Sequence, residues 1–139
     1  MSPYSIDHWH DSFLSDVEDA CRIMWAQQPF PSKHHTSFSE YFRAVLDDGA
    51  EELPSIVCRL DGKFVGGLSI GYLTSDSHFP GKGIIVYNTV VDQAHPEVTR
   101  LLYRSLIQKL KAEGGSWYQT TRRVSETEFS FKFRRIHNG

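Results

Sequence analysis

The sequence predicts an α+β domain built on a mixed, largely antiparallel sheet that is flanked by helices. Residues 84–91, IIVYNTVV, form a nearly continuous β-branched and aromatic run, which is typical of a central strand covered on both faces. Residues 96–113 follow as a helix with one apolar stripe, made of Val98, Leu101, Leu102, Leu106 and Leu110. A further strand over residues 117–124 completes a right-handed crossover, whose two strands should lie parallel or splayed.

The ends of this helix carry matching signals. Pro96 suits the first turn of a helix, where its missing N–H is not needed. Gly114 and Gly115 suit the end, where a left-handed conformation is favoured.

Before this unit the sequence predicts a short strand at residues 4–6 and two helices. Asp7 or Asp11 should cap the first helix, which Pro29 and Pro31 should end. Its apolar face consists of Trp9, Phe13, Val17, Ala20, Cys21, Met24 and Trp25. The second helix should start at Ser37, which has capping-box spacing to Glu40, and should end at residues 47–49.

From residue 55 onwards, the hydrophobic pattern repeats every two residues, as in a β-strand. Residues 55–60 and 63–73 read as a hairpin around an Asp61-Gly62 type I′ turn, with a bulge or close backbone approach at Gly66-Gly67. Residues 74–83 read as a polar loop. The last strand alternates, which predicts Phe129, Phe131 and Phe133 inward and Ser130, Lys132 and Arg134 outward.

Size and composition predict a single domain over residues 1–139. Hydrophobic residues make up 40% of the chain, which is ordinary for a folded protein and excludes a disordered one. We expect no signal peptide and no membrane association. Cys21 and Cys58 are too few for a disulfide framework and indicate reduced thiols in a cytoplasmic setting. The seven histidines lack ligand spacing, so no metal site is predicted.

Charge is divided unevenly along the chain. Residues 1–99 hold 6 Lys/Arg and 14 Asp/Glu, whereas residues 100–139 hold 9 and 3, giving −8 and +6, which sum to the net −2. This asymmetry predicts contact with a polyanion, with a partner protein or with further copies of the chain, unless the two halves face each other within one domain.

The order of these elements resembles that of the GNAT superfamily of N-acetyltransferases. The resemblance implies a three-layer fold whose central strand splays at a bulge and pairs with the pantetheine arm of acetyl-CoA. Here that strand end is Thr89, Val90 and Val91. The resemblance also implies phosphate binding at the start of the following helix, near Val98, Thr99 and Arg100.

The loop before that helix departs from the family pattern, which reads Arg/Gln-x-x-Gly-x-Gly/Ala. Residues 93–100, QAHPEVTR, contain no glycine, Pro96 removes an amide donor, and Glu97 places a carboxylate where phosphates should lie. The main hypothesis is therefore a GNAT-fold protein with a degraded acyl-CoA site and no cofactor. The alternative is an N-acyltransferase that uses acetyl-CoA, with Tyr118, Tyr87 and Asp92 as candidate acids or bases. Core packing is the simpler interpretation of the two tyrosines.

Small degenerate proteins of this kind also resemble ones encoded by tailed bacteriophages. That likeness implies a structural or interaction component of a virion, found in the virion or the host cytoplasm, with a homo-oligomer or phage structural proteins as partners. The candidate interface consists of the basic C-terminal residues Arg122, Arg123, Lys132, Arg134 and Arg135. These cations could select an acidic partner. Nucleic acid is a further, weaker alternative, because the phenylalanines beside these cations are expected to lie in the core.

Overall fold

The computed structural model describes residues 2–136 as a mixed sheet with helices on both faces. In chain order its elements are β1 (Tyr4–Trp9), α1 (Leu14–Gln27), α2 (Phe30–His34), α3 (Phe38–Asp47), a 3₁₀ turn (Ala50–Glu52), β2 (Ser55–Leu60), β3 (Lys63–Ile70), β4 (Thr74–Ser75), β5 (Lys82–Val91), α4 (Val98–Ala112), β6 (Trp117–Arg123) and β7 (Phe129–Arg135).

The strands lie in the order β1-β2-β3-β5-β6-β7, with the short β4 paired to the start of β5. All neighbours are antiparallel except β5 and β6, which are parallel from Gly83 opposite Trp117 to Val86 opposite Thr120. The α4 helix packs on one face of the sheet and α1 on the other, so the three-layer, largely antiparallel architecture is confirmed.

The core lies mainly between α4 and the sheet. The predicted apolar stripe of α4 is fully buried at Val98, Leu102, Leu106 and Leu110, against Ile56, Leu68, Ile84 and Val86. Each such side chain stabilises the fold by roughly 2 kcal/mol relative to exposure. No helix within residues 2–136 is both long enough and apolar enough to cross a membrane.

Several local predictions are confirmed. Ser37 caps α3 by accepting a hydrogen bond from the Glu40 amide at 3.2 Å. Asp61 and Gly62 both have positive φ, 50° and 82°, as a type I′ turn requires. The α4 helix ends at Gly114, with φ 77°, and the Gly115 amide donates to the Leu110 carbonyl at 2.7 Å, which completes a Schellman motif.

The glycine pair in β3 also has the predicted role. Cys58 pairs with Gly66 and Arg59 pairs with Phe64, so Val65 is an extra, bulged residue. A Cβ on Gly66 would lie 2.7 Å from Val98 Cγ1, so the absence of a side chain lets α4 approach the sheet closely.

The start of the chain differs from the prediction. β1 continues to Trp9, and α1 begins only at Leu14, after Phe13 rather than after Asp7 or Asp11. Trp9 therefore lies on a strand, and its ring packs on Phe13 with centroids 4.1 Å apart. α1 ends at Gln27, before both prolines. Pro29 and Pro31 then lie at the N-cap and in the first turn of the short helix α2, where proline is tolerated.

Boundaries elsewhere shift by a few residues. β3 ends at Ile70 rather than at residue 73, and part of the expected 74–83 loop pairs with β5 as β4. Pro96 precedes α4 instead of occupying its first turn, because tight turns fill residues 92–97.

The last strand is the largest correction. β7 alternates as predicted, but Phe129, Phe131 and Phe133 are 54%, 59% and 38% exposed, so they do not point into the core. These side chains share a face of the hairpin with Gln119, Thr121 and Arg123 of β6, and their exposure shows that little packs on that face along β7. Phe133 has two close aromatic neighbours, Phe79 at 3.8 Å and Trp117 at 5.6 Å between centroids.

Candidate functional site

The candidate site is a cleft where β5 and β6 diverge. Ser69 of β3 pairs with Asn88 and Ile70 pairs with Val86, so Tyr87 is an extra residue that bulges β5. The pairing of β5 with β6 stops at Val86, although both strands continue. The cleft therefore opens between residues 87–91 of β5 and residues 121–123 of β6.

One edge of the cleft presents main-chain groups. The Asp92 amide donates to the Val65 carbonyl at 2.9 Å, which fixes the alternation of the antiparallel β3–β5 ladder. By that alternation, the N–H and C=O groups of Thr89 and Val91 point away from β3 and towards the cleft. An extended ligand chain could pair with these groups as a strand would.

A side chain from α1 already occupies the outer end of this edge. Gln27 Nε2 donates to the Val91 carbonyl at 3.1 Å, and Gln27 Oε1 accepts from the Gln93 amide at 2.7 Å. The prediction from sequence missed Gln27, whose only signal is a polar residue at the end of an otherwise amphipathic helix.

The other missed residue is Tyr103 of α4. Its hydroxyl lies 2.7 Å from Thr89 Oγ1, and its ring centroid lies 5.9 Å from that of Tyr118. Burial raises the pKa of Tyr103 above its ordinary value, so the phenol is protonated at neutral pH. Thr99 and Arg100 precede Tyr103 by four and three positions, so they share its side of α4.

The first turn of α4 uses most of its own amides. The amides of Val98 and Thr99 donate to the carbonyls of His95 and Pro96, at 3.1 and 3.3 Å. The Leu101 amide donates to the Glu97 carbonyl at 3.4 Å, which leaves the Arg100 amide without a backbone partner in this turn. An anion site at a helix N-terminus needs several free amides, so this turn offers little to a pyrophosphate.

A carboxylate is fixed at the same turn. The Tyr4 hydroxyl donates a hydrogen bond to Glu97, and His95 Nδ1 lies 3.8 Å from the same carboxylate. The bond from Tyr4 lowers the pKa of Glu97, with smaller contributions from its own backbone and from His95, so the carboxylate is ionised at neutral pH. The same bond raises the pKa of Tyr4 to about 12.

The structure does not bring the three candidate acid–base residues together. Tyr118 is buried at the closed end of the cleft, whereas Tyr87 is 46% exposed with its ring over Gly71. Asp92 Oδ1 accepts from the Ala94 amide at 3.0 Å and so stabilises the turn before α4. Of the candidate cofactor residues, Val98 is a core residue, whereas Thr89 and Val91 carry the edge of the cleft.

Helix α2 contacts the far end of the β6–β7 hairpin. The Arg123 guanidinium lies 4.2 Å from the Phe30 ring centroid, and His34 Nε2 lies 3.0 Å from Glu126 Oε1. Arg123 also donates to the carbonyls of Ser125 and Glu126, at 3.1 and 2.6 Å. Arg123, expected at an interface, is therefore part of the hairpin's own structure.

The other cations of the hairpin are exposed. Lys132 and Arg134 lie opposite Thr120 and Tyr118, on the face of the sheet that α4 covers, and Arg122 shares that face. Arg135 lies on the opposite face. Among residues 2–136 there is no cluster of three side chains suited to a metal ion.

A separate cavity of about 230 Å³ lies near the C-terminal end of α4. His8, His10, Tyr72, Lys109 and Glu113 contribute to its lining. His8 Nε2 lies 2.7 Å from Ser105 Oγ, so one of its ring nitrogens already has a partner.

No family model matches the chain, and no curated protein matches it in sequence. Solved structures do match its fold. The ribosomal-protein-S18-alanine N-acetyltransferase from Escherichia coli has a TM-score of 0.59 and 16% identity, over 89% of this chain and 70% of that one. A putative acetyltransferase of the GNAT family from Desulfovibrio desulfuricans has a TM-score of 0.55 and 14% identity, over 88% and 76% of the two chains. A putative acetyltransferase from Salmonella typhimurium, solved with its cofactor acetyl-CoA, has a TM-score of 0.54 and 15% identity, over 90% and 73%.

These likenesses show that the chain has the GNAT fold. Acetyl-CoA, which the Salmonella typhimurium structure contains, can be compared with the cleft of this chain. The cleft fits that cofactor in one half only. The main chain of Thr89 and Val91 faces the opening, as pairing with a pantetheine arm requires, although the Val91 carbonyl already accepts a hydrogen bond from Gln27. The α4 turn does not fit a pyrophosphate held on helix amides, because the amides of Val98 and Thr99 are bonded and Glu97 adds negative charge.

Proposed function

We propose that this chain is an N-acyltransferase whose cleft binds the pantetheine arm of an acyl thioester along β5. The observation that carries the proposal is the divergence of β5 and β6 at the Tyr87 bulge, which turns the Thr89 and Val91 main chain towards the cleft. The likeness of the fold to acetyltransferases supports it. When bound, acetyl-CoA would supply the acyl group as a thioester, and an amine would accept it.

The phosphates of such a cofactor would need side chains in place of helix amides. Arg100 lies on the Tyr103 side of α4 and is exposed, and Thr99 precedes it. A guanidinium can bind phosphate oxygens in a bidentate manner, which would compensate for the bonded amides. Arg100 is thus the residue on which phosphate binding depends in this proposal.

Titration calorimetry of the folded protein with acetyl-CoA tests the proposal. We expect saturable binding that Arg100→Ala weakens several-fold, because the variant removes the phosphate contact. Arg43→Ala is the matched control, since Arg43 is also exposed but lies on α3, which packs against α1 and not against α4 within the described residues. The proposal would be overturned if the wild-type protein, shown by circular dichroism to be folded, does not bind acetyl-CoA at millimolar concentration.

A second candidate is a GNAT-fold protein that acts through its surfaces without acetyl-CoA. Two features favour this candidate: the amides in the first turn of α4 are already hydrogen-bonded, and Tyr4 contacts Glu97. Both stabilise the fold at the place where phosphates would bind. This second candidate includes two predictions made from the sequence. One is a structural or interaction role in a phage virion, with localisation in the virion or the host, and the other is nucleic-acid binding. Failure of both the wild-type protein and Glu97→Gly to bind acetyl-CoA would favour this candidate.

A further inference from the structure

The β7 strand is an open edge of the sheet that exposes aromatic side chains. Within residues 2–136 it pairs with β6 on one side only, and it is the last strand in the sheet order. Phe129 and Phe131 are more than half exposed, at 54% and 59%. Proteins usually protect such edges with charged side chains, and β7 carries Lys132, Arg134 and Arg135. The exposed phenylalanines beside them nevertheless leave apolar surface uncovered, which indicates a surface for pairing.

The free main-chain groups belong to the same residues. The Val124 amide donates to the Glu128 carbonyl, and the Ile136 amide donates to the Ser116 carbonyl. These two bonds show which residues of β7 have main-chain groups that point towards β6. By that alternation, the N–H and C=O groups of Phe129, Phe131 and Phe133 point away from β6, towards the open edge. A strand that pairs here would bond to the phenylalanine main chain and cover the phenylalanine rings at once.

We propose that the occupant of this edge is the β7 strand of a second copy, antiparallel, with the two Phe131 residues opposite each other on a two-fold axis. The open-edge groups must pair with one another, which limits the register to pairings centred on Ser130, Phe131 or Lys132 within the middle of the strand.

Charge and overlap select among these registers. Centring on Lys132 places two lysines directly opposite, which is destabilising. Centring on Ser130 pairs only residues 129–131 of each β7. Centring on Phe131 pairs residues 129–133 and places Phe129 opposite Phe133 and Lys132 opposite Ser130.

The same register brings opposite charges together. Arg134 falls opposite Glu128, the residue just before β7, and this pair occurs twice because a two-fold contact repeats each interaction. One short segment thus supplies apolar, hydrogen-bonding and charged groups that complement themselves. That self-complementarity is the reason for choosing a second copy over another acidic protein.

Disulfide trapping tests the register directly. Opposite Cα atoms in a hydrogen-bonded antiparallel pair lie about 5.5 Å apart, within the range of a disulfide. We expect Phe131→Cys to form a cross-linked dimer under mild oxidation, whereas Ser130→Cys alone and Lys132→Cys alone do not. A mixture of the last two variants should cross-link with each other. The native Cys21 and Cys58 are buried, so they should not compete.

Charge exchange and sedimentation provide an independent measurement. We expect a concentration-dependent dimer for the wild-type protein, several-fold weaker dimers for Arg134→Glu and for Glu128→Arg, and recovery in the double variant. These effects should shrink at high salt. A wild-type monomer at all concentrations would overturn the proposal and leave the edge to a different partner. Equal cross-linking at residues 130, 131 and 132, or no recovery in the double variant, would overturn the register.

Discussion

Gln27 holds the end of β5 through Val91: its side-chain amide donates to the Val91 carbonyl at 3.1 Å and accepts from the Gln93 amide at 2.7 Å. A helix on one face of the sheet is thereby bonded to the strand that forms the cleft. The contact stabilises the native turn at residues 91–93 and also occupies a group that a ligand would use.

Gln27→Ala should destabilise the protein by about 1–2 kcal/mol, because it removes two hydrogen bonds to the main chain. Gln28→Ala is the control, since Gln28 is its exposed neighbour. Urea unfolding measures both. Equal losses for the two variants would show that the bridge does not contribute to stability.

Glu97→Gly should tighten the binding of acetyl-CoA, because it removes a carboxylate from the turn where phosphates would lie. Glu97→Gln should have a smaller effect in the same direction. Tyr4→Phe keeps the carboxylate, so it serves as the control for loss of the Tyr4–Glu97 contact alone. Calorimetry that gives one affinity for all of these proteins would mean that the phosphates do not approach Glu97.

Arg59→Met should destabilise the fold by roughly 3 kcal/mol, because it leaves a buried carboxylate without its cation. Arg59 Nη2 donates to Asp16 Oδ2 at 2.9 Å, and the Asp16 side chain is only 4% exposed. Arg22→Met is the matched control: its partner Glu18 lies 3.6 Å away, and both side chains are largely exposed. That pair should contribute less than about 1 kcal/mol. If chemical denaturation shows that Arg59→Met and Arg22→Met lower the free energy of unfolding by similar amounts, the buried Arg59–Asp16 pair does not contribute more than the exposed one.

His8 should make stability depend on pH. Desolvation of the ring lowers the pKa of His8, with a further contribution from the Lys109 cation, although Asp7 and Glu113 oppose the shift. The unfolded chain then binds a proton at a higher pH than the folded protein does. The stabilisation is complete above the unfolded value of about 6.5 and is lost as pH falls through the folded pKa.

We therefore expect the free energy of unfolding to decrease less steeply below pH 6.5 in His8→Gln than in the wild-type protein. His10→Gln, altered at an exposed neighbour on the same segment, controls for the loss of an imidazole from this part of the chain. Parallel curves for wild type and His8→Gln would rule out the contribution of His8.

The sequence was most informative where a signal depends on local chemistry. Ser37 caps its helix, Gly114 ends α4 and Asp61-Gly62 forms the hairpin turn, because each depends on backbone conformation within a few residues. The divergence of β5 and β6 was also expected, because the crossover and the resemblance in element order both implied it.

Predictions failed where the answer depended on what packs from a distance. Alternation identified β7 as a strand, but which face is covered depends on elements elsewhere, and the phenylalanine row is largely exposed. Trp9 has the spacing to Phe13 and Val17 that a helix would give, which predicts a place on the first helix, but it lies on β1. It still contacts Phe13, because two apolar residues can pack together without belonging to the same helix. The bridge of Gln27 to Val91 joins distant segments, so no local pattern contained it.

The place of β1 in the sheet has a consequence for folding kinetics. In the described part of the chain β1 pairs only with β2, and the three N-terminal helices separate the two strands in sequence. In contrast, β5, α4, β6 and β7 follow one another directly. Contacts between distant segments require closure of a long loop, so β1 should dock after the transition state has formed. Ile6→Ala should therefore accelerate unfolding while leaving the refolding rate nearly unchanged, and Leu106→Ala should slow refolding. Stopped-flow measurements would then show β1 as the segment that sets how long the native state persists rather than how fast it is reached.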